Sequence, residues 1–438
     1  VPMTPPTPTP DRPCVVIVGG GFGGLHAAKA LRRAAVEVTL VDRTNYHLFQ
    51  PLLYQVATGA LSPANIAAPL RAIVDRQQNT TVLQAAVVGF DLDAKRVLLD
   101  EGDAFPFDTL VVAAGAKHSY FGRDEWERLA PGLKTVEDAT RIRSDILLAF
   151  ERAERTDDPT ERQRLLTFVI VGGGPTGVEL AGALSELSRH ALRHDFRRIE
   201  PGDAHIYLID AGDRVLSNFD ESLSANALKS LERRGVIVRN GERVTAITPT
   251  DVTIEGPQGS QTLPTETVLW AAGVHASPLA KMLGEASGAE VDRAGRVTVT
   301  PTLHLPNRPD VFAIGDMANC AGADGKPLPG VAPVAIQQGQ HVARTIANRL
   351  HGKPDKPFEY RDYGSMATIG RSAAVAELGR FRFTGYLAWL IWLFIHLMQL
   401  VTFQNRVLVL TQWAWNYVTR DRSARLITAV PEEREHIK

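Results

Sequence analysis

Two glycine-rich segments, 153 residues apart, carry chemistry that residue type and spacing make legible. The apolar run CVVIV leads into Gly19-Gly20-Gly21-Phe22-Gly23-Gly24, and FVIV leads into Gly172-Gly173-Gly174-Pro175-Thr176-Gly177. Each is a GxGxxG pattern between a predicted strand and a helix rich in small residues. Gly19 and Gly172 permit the tight turn after the strand, and Gly21 and Gly174 let backbone approach a diphosphate. Gly24 and Gly177 let the helix pack close on the strand. The free N–H groups and positive dipole end of that helix then face the phosphates.

A carboxylate at the end of the next strand completes such a site by accepting from a ribose 2′-hydroxyl. Asp42 closes VEVTLV, 18 residues past Gly24, and Asp210 closes HIYLI, 33 residues past Gly177. The second spacing is lengthened by a charged stretch, residues 189–203, which leaves open that Asp210 is an ordinary strand-end acid. A carboxylate there would repel a 2′-phosphate and favour NADH over NADPH. A second echo, Ala114-Gly115 in VVAAG and Ala272-Gly273 in LWAAG, is offset by 158 residues. Two βαβ-type nucleotide folds in one chain explain both echoes.

The elements around these loops tell the two sites apart. Only the first has a later complement, FAIGDMA, whose strand ends in Gly315-Asp316 and brings a carboxylate toward the ribityl-diphosphate part of a flavin. The helix after it, near 331–350, starts APVAIQQGQ, with Pro333 suited to a first turn and an N-terminus able to face the flavin N1–C2=O edge. The first fold is therefore predicted to hold FAD and to be interrupted by an NAD-binding fold.

Composition sets the frame. The chain has 438 residues, 44% hydrophobic and 22% charged, enough for two or three domains with a real core. Net charge is −1, so no global basic field points to nucleic acid. Two cysteines, Cys14 and Cys320, are too far apart in sequence for a CxxC centre, and no ligand spacing suggests a metal. Residues 1–12, Pro/Thr-rich, are predicted to be a disordered tail. Residues 386–403 hold 18 residues without an acid, lysine or arginine, and 407–418 add Trp413, Trp415 and Tyr417. Seven arginines against two acids flank these stretches over 371–425. As one helix, 386–403 would rise about 27 Å, marginal for a core of about 30 Å. His396, Gln399 and Thr402 recur on one face, so an amphipathic helix lying on an anionic bilayer is expected. A buried helix pair or a dimer interface is the structural alternative.

With these motifs in place, the chain resembles the type II NADH:quinone oxidoreductases, within the two-dinucleotide flavoproteins of the pyridine nucleotide-disulfide reductase superfamily. The resemblance rests on VDRTNYHLFQPLLYQVATG (41–59), AAGAKHSYFG (113–122), VGGGPTGVELAGAL (171–184), FAIGDMA (312–318), APVAIQQGQ (332–340) and the Trp-rich tail to residue 427. The disulfide-reducing relatives need a redox cysteine pair after the first βαβ unit. Residues 44–62 here contain none.

The resemblance implies roles residue by residue. FAD would be held by Gly19, Gly21, Phe22, Gly23, Gly24, Asp42, Arg43, Tyr46, His47, Gln50, Pro51, Ala114, Gly115, Gly315, Asp316, Ala335 and Ile336. NADH would be held by Gly172, Gly174, Pro175, Thr176, Gly177, Glu179, Asp210, Ala272 and Gly273. Glu179 takes the place of a family glutamate near nicotinamide and flavin, although a carboxylate early in a helix also has dipole reasons to be there. The family's quinone motif, Ala-Gln-x-Ala-x-Gln, reads here Ala332-Pro333-Val334-Ala335-Ile336-Gln337. Gln337 would bond a quinone carbonyl, with Pro333 and Gln50 beside it; a flavin-edge or capping glutamine is the other reading.

The expected protein is thus α/β, with two Rossmann-like domains and a C-terminal amphipathic helical membrane anchor. FAD binding is assigned to 13–120 and 292–355, NADH binding to 121–291 and anchoring to 356–438. Hydride is expected to pass from NADH to FAD N5, and two electrons then to a membrane quinone, ubiquinone or menaquinone, without proton pumping. The expected setting is monotopic attachment to the cytoplasmic face of a bacterial inner membrane, with a homodimer through the C-terminal region as a further use of the tail. Transfer to a protein acceptor, or quinone reduction from another donor, are the alternatives.

Overall fold

Runs of Val, Ile and Leu without polar alternation are the pattern of strands covered on both faces, and they form the two parallel sheets of this protein. The computed structural model describes residues 12–428. The expected tail at 1–12 lies, except for its last residue, outside the described residues. Packing divides the chain into two compact units.

The first unit gathers residues up to 48, 67–117 and 274–362. Its sheet runs in the order His304–Leu305, Arg308–Ala313, Thr109–Val112, Cys14–Val18, Glu37–Asp42, Thr80–Gln84. All neighbours are parallel except the hairpin formed by the first two. Val15, Val16 and Ile17 have no exposed surface. Cys14–Val18 pairs with Glu37–Asp42 on one side and Thr109–Val112 on the other, so strand order reverses there. The glycine loop leaves the carboxyl end of that central strand, where open α/β sheets bind ligands.

The second unit holds 49–66, 118–273 and residues from 363 onward. Its parallel sheet repeats the plan: Val236–Asn240, His205–Asp210, Thr167–Val171, Thr267–Trp270. The duplication goes further than the glycine motifs. Both units insert a three-stranded antiparallel meander before the strand that carries the AAG echo: Val87–Asp91, Arg96–Leu99, Ala104–Pro106 in one, and Arg243–Ile247, Asp251–Gly256, Gly259–Pro264 in the other.

These boundaries differ from the expected ones. Residues 49–66, read as part of the FAD domain, pack with the second unit, and 274–291 pack with the first. Residues from 363 do not form a separate unit either. Their antiparallel sheet, Ser365–Gly370, Ala373–Leu378, Phe381–Thr384, packs on the helix Pro175–Glu186, where a Cβ on Gly182 would overlap the Ile369 carbonyl oxygen.

The apolar tail also departs from expectation. It is two helices, Gly385–Gln399 and Phe403–Thr419, broken where Leu400 turns extended and Thr402 Oγ1 caps the second helix by accepting from Asn405 N–H at 3.1 Å. His396 does not belong to a water-facing stripe. Ala388, Trp392 and His396, at helical spacing, are buried, while Tyr386, Leu387, Leu390, Phe394 and Met398 are exposed. The polar residue can turn inward because its Nδ1 is satisfied by the Trp392 carbonyl one turn back and its ring stacks on Trp392, and the apolar face is left outside. Among the described residues, no helix is long and apolar enough to cross a membrane.

Candidate functional site

In the first unit the glycine loop is shaped by what cannot fit. Gly19 has φ +103°, and a Cβ there would overlap the Ala113 carbonyl; one on Gly24 would overlap the Gly19 carbonyl oxygen. At Gly21, the residue capping the helix Phe22–Ala30, a Cβ would meet nothing within 4 Å. Two glycines are thus fixed by packing and the middle one by open space, as a loop built to cradle a phosphate requires.

Asp42 holds this loop. Its Oδ2 accepts from Gly20 N–H at 2.5 Å, and Oδ1 accepts from Thr44 N–H at 2.7 Å and Thr44 Oγ1 at 2.8 Å. His47 sits underneath, 1% exposed, edge-on to Phe22 with ring centroids 5.1 Å apart. Its Nδ1 lies 2.9 Å from the Gly20 carbonyl oxygen, which can only accept, so Nδ1 carries the hydrogen and Nε2 a lone pair. Burial pulls the ring down to about 4, keeping it neutral. Nε2 is buried without a partner. An orphaned acceptor beside an open glycine cradle fits a bound dinucleotide's hydroxyl, and FAD is the group that the complement from Gly315 onward suits.

That complement is assembled in the same unit. Gly315, at φ +73°, donates its N–H to Gln338 Oε1 at 2.7 Å. A Cβ on Gly315 would touch Ala335, and one on Gly23 would lie 3.4 Å from the Ala335 carbonyl oxygen. The helix Ala332–Arg349, with Pro333 in its first turn, therefore starts beside the loop. It lies so close to Phe22–Ala30 that a Cβ on Gly339 would overlap the Gly23 carbonyl oxygen. Asp316 and Ile336 are half-buried here and Arg43 is exposed. Gly115 follows the Thr109–Val112 strand with open space at its Cα, and Ala114 N–H faces Met317 Sδ.

Gln337 is engaged elsewhere: its Nε2 donates to the Arg361 carbonyl at 2.9 Å and its Oε1 accepts from Arg361 N–H at 3.0 Å. Both ends of the amide thus strap segment 353–362 to the helix. The buried glutamine that sequence reasoning passed over is its neighbour, Gln338.

The second unit repeats the loop. Gly172 has φ +111° against Ala271, a Cβ on Gly177 would overlap the Gly172 oxygen, and Gly174 faces open space. Asp210 accepts from Gly173 N–H and, at 2.7 Å, from Gly212 N–H. It thus does for its loop what Asp42 does for the first. Pro175 and Thr176 open the helix Pro175–Glu186 and are exposed. Ala272 and Gly273 follow the last strand, with the Gly273 carbonyl accepting from Ser119 N–H at 3.4 Å. Gln50 and Pro51 form a 3₁₀ turn in this unit and not in the one holding His47.

Glu179 lies one turn into the Pro175–Glu186 helix. Its Oε1 accepts weakly from Thr368 N–H at 3.4 Å, and burial pushes the carboxyl up to about 8, so it is mostly protonated at neutral pH. Beside it are Tyr54 and Trp392, which adjoin Gln55, Trp413 and His396, none of them assigned to a site from the sequence. Tyr54 and Gln55 sit four and five residues past Gln50, inside the segment that carried the family resemblance; an uncommitted tyrosine there was the available signal.

Comparison with known proteins agrees with this arrangement. Residues 13–339 match the family described as pyridine nucleotide-disulphide oxidoreductase, and 363–421 match the NDH2 C-terminal domain. The type II NADH:quinone oxidoreductase NdhA of Mycobacterium tuberculosis is 46% identical over 433 residues, covering 97% of this chain and 91% of that one. The same organism's type II NADH:quinone oxidoreductase Ndh is 44% identical over 431 residues, covering 97% and 92%. Among solved structures, NDH2 from Plasmodium falciparum in complex with NADH aligns with a TM-score of 0.84 over 95% of this chain and 100% of that chain. At 18% identity, that likeness speaks for the fold.

Proposed function

The chain belongs to the type II NADH:quinone oxidoreductase family, and from that membership we infer that it is an NADH dehydrogenase that reduces a quinone. The observation that carries this reading is the pair of cradles, each open at its middle glycine and each tied to a strand-end aspartate. FAD, held by the first cradle, would supply the two-electron redox chemistry that links NADH oxidation to quinone reduction.

The chain's own residues hold and orient. The Gly19–Gly24 loop and its helix N-terminus receive the FAD diphosphate, and His47 Nε2 accepts a hydroxyl hydrogen. The Gly172–Gly177 loop receives the NADH diphosphate, and Asp210 accepts from the ribose 2′-hydroxyl. Glu179 keeps a proton available where the substrates meet the enzyme. Gln337, with Pro333 where the family has glutamine, contributes to quinone binding only through the N–H and lone pair that Arg361 leaves free.

Asp210 sets nucleotide choice by charge. Both its oxygens also accept from backbone N–H groups, so Asp210→Asn removes the charge at the cost of one loop hydrogen bond, a cost common to both nucleotides that cancels in their ratio. We expect the NADH/NADPH ratio of kcat/KM to drop about tenfold, which corresponds to about 1.4 kcal/mol. An unchanged ratio would show that this acid does not read the ribose.

We propose monotopic attachment to an anionic bilayer, at the cytoplasmic face of a bacterial inner membrane; the outward apolar residues of the two C-terminal helices support the attachment itself. The same face could instead bury itself in a homodimer. Removing the helices would strip buried Trp392 and His396 from the core, so the test is local. Leu390→Asp with Phe394→Asp, both exposed positions, should abolish co-flotation with phosphatidylglycerol vesicles while leaving NADH-driven flavin bleaching intact. Persistent flotation would move the anchor elsewhere.

A further inference from the structure

Within the second unit, segment 49–66 and the two C-terminal helices bring together Tyr54, Gln55, Trp392 and Trp413, which no dinucleotide contact uses. Their hydrogen bonds have a direction that chemistry fixes. An indole N–H can only donate, so Trp413 Nε1, 2.7 Å from Gln55 Oε1, sets which way the Gln55 amide points. Gln55 Nε2 therefore faces Tyr54 and donates to its oxygen at 2.8 Å. The Tyr54 oxygen accepts, and its own hydrogen has no acceptor among the described residues.

A second donor is in the same condition. Trp392 Nε1 is buried without a hydrogen-bond partner, in a residue 3% exposed. Its ring stacks on His396 with centroids 4.3 Å apart, and His396 uses Nδ1 on the Trp392 carbonyl at 2.8 Å. Burial holds that imidazole neutral, so no cation competes there. The Tyr54 hydroxyl and the Trp392 indole N–H both face the Glu179 carboxyl, the nearest acceptor to the indole, without either making a well-formed hydrogen bond to it.

Buried polar groups are almost always paired, so two donors that share one carboxyl without a well-formed bond to it call for a ligand that brings further acceptors. A quinone is such a molecule, with carbonyl oxygens and an apolar ring. Its quinol product fits less well, because each new O–H adds a hydrogen for which these two donors offer no acceptor. The approach suits a lipid-dissolved molecule as well: Leu390 and Phe394 are exposed on the outer face of the helix that turns Trp392 and His396 inward.

We propose that the Tyr54 hydroxyl and the Trp392 indole N–H are the donors that bind the quinone carbonyl, and that Gln55 and Trp413 are positioning residues that aim the Tyr54 hydrogen. This rests on the quinone reductase reading above. It also moves the principal quinone contact away from Gln337, whose amide is already engaged with Arg361.

The test uses FAD-loaded full-length enzyme and ubiquinone-1, with binding followed by calorimetry on the oxidised protein. Tyr54→Phe and Trp392→Phe should each weaken Kd about tenfold, about 1.4 kcal/mol apiece. NADH-driven flavin bleaching should stay at the wild-type rate. Gln55→Glu separates aim from bulk: a carboxylate there accepts the Tyr54 hydrogen and turns it away from the ligand. It should weaken quinone binding like Tyr54→Phe, although the hydroxyl is retained. Wild-type Kd in Trp392→Phe and Gln55→Glu would overturn the proposal even if Tyr54→Phe fails to fold, and would leave the quinone reductase reading standing. If wild-type flavin bleached by NADH is not reoxidised by ubiquinone-1 or a menaquinone analogue, that reading falls, and this proposal with it.

Discussion

Gly24→Ala enzyme is expected to purify with its FAD occupancy cut at least about tenfold, while Gly177→Ala enzyme stays yellow and is no longer bleached by micromolar NADH. The two substitutions are the same chemistry at equivalent places. In each, the added methyl falls on the carbonyl oxygen of the first loop glycine, Gly19 or Gly172, so the helix must withdraw from its strand. Neither carbonyl can yield by rotating a side chain. The first change also disturbs the seam where Gly339 meets the Gly23 carbonyl, which positions the start of helix Ala332–Arg349. The second leaves that seam alone. The ratio of absorbance at 450 nm to that at 280 nm checks the first, and stopped-flow bleaching against NADH concentration checks the second. Loss of FAD from both variants alike would mean that the loops do not divide the two ligands as assigned.

Glu179→Gln should slow quinone-driven reoxidation about a hundredfold at neutral pH, the scale of a lost general acid, and leave flavin bleaching by NADH nearly untouched. The wild-type carboxyl is held up to about 8 by burial, so it carries a proton through the neutral range and loses it above. Reoxidation in the wild type should accordingly fall as pH rises through about 8, and the variant should show no such step. Stability follows the same sign. Between the ordinary value of 4.5 and about 8 the folded protein keeps a proton that the unfolded chain has released. Glu179's contribution is therefore complete below 4.5 and is lost as pH rises toward 8. The glutamine variant should have a flatter dependence of Tm on pH over that window. Equal pH profiles for the two proteins would remove Glu179 from proton delivery.

Where a residue's neighbours are prescribed by local backbone chemistry, the sequence was a good guide. Gly19, Gly24, Gly172 and Gly177 are glycines because a strand, a tight turn and a helix leave no room for a Cβ. Asp42 and Asp210 end strands beside those turns. These relations act within one βαβ unit, so spacing reveals them. The three-stranded meanders did not announce themselves, because short antiparallel strands half open to water, such as Arg96–Leu99, carry little hydrophobic pattern.

Contacts across long separations were less legible still. Gln337 and Arg361 are 24 residues apart, and Trp413 meets Gln55 across 358, so no local pattern marks either bond. The tail shows a further limit. Its composition named an apolar surface correctly, but His396 was read as facing water because a polar residue at helical spacing looks the same whether it meets water or a buried carbonyl. The break at Leu400 to Thr402 was hidden for a related reason: Thr402 was counted with the polar stripe, when its hydroxyl caps a new helix.

The most direct test of the whole account is anaerobic stopped-flow absorbance of the flavin, first with NADH and then with a short-chain ubiquinone or menaquinone analogue. Rapid bleaching by NADH followed by rapid recovery with quinone is the expected result, and it would establish both half-reactions on one protein. Bleaching by NADH with no recovery from either quinone would contradict it: the two dinucleotide cradles would stand, and the electrons would have to leave for another acceptor.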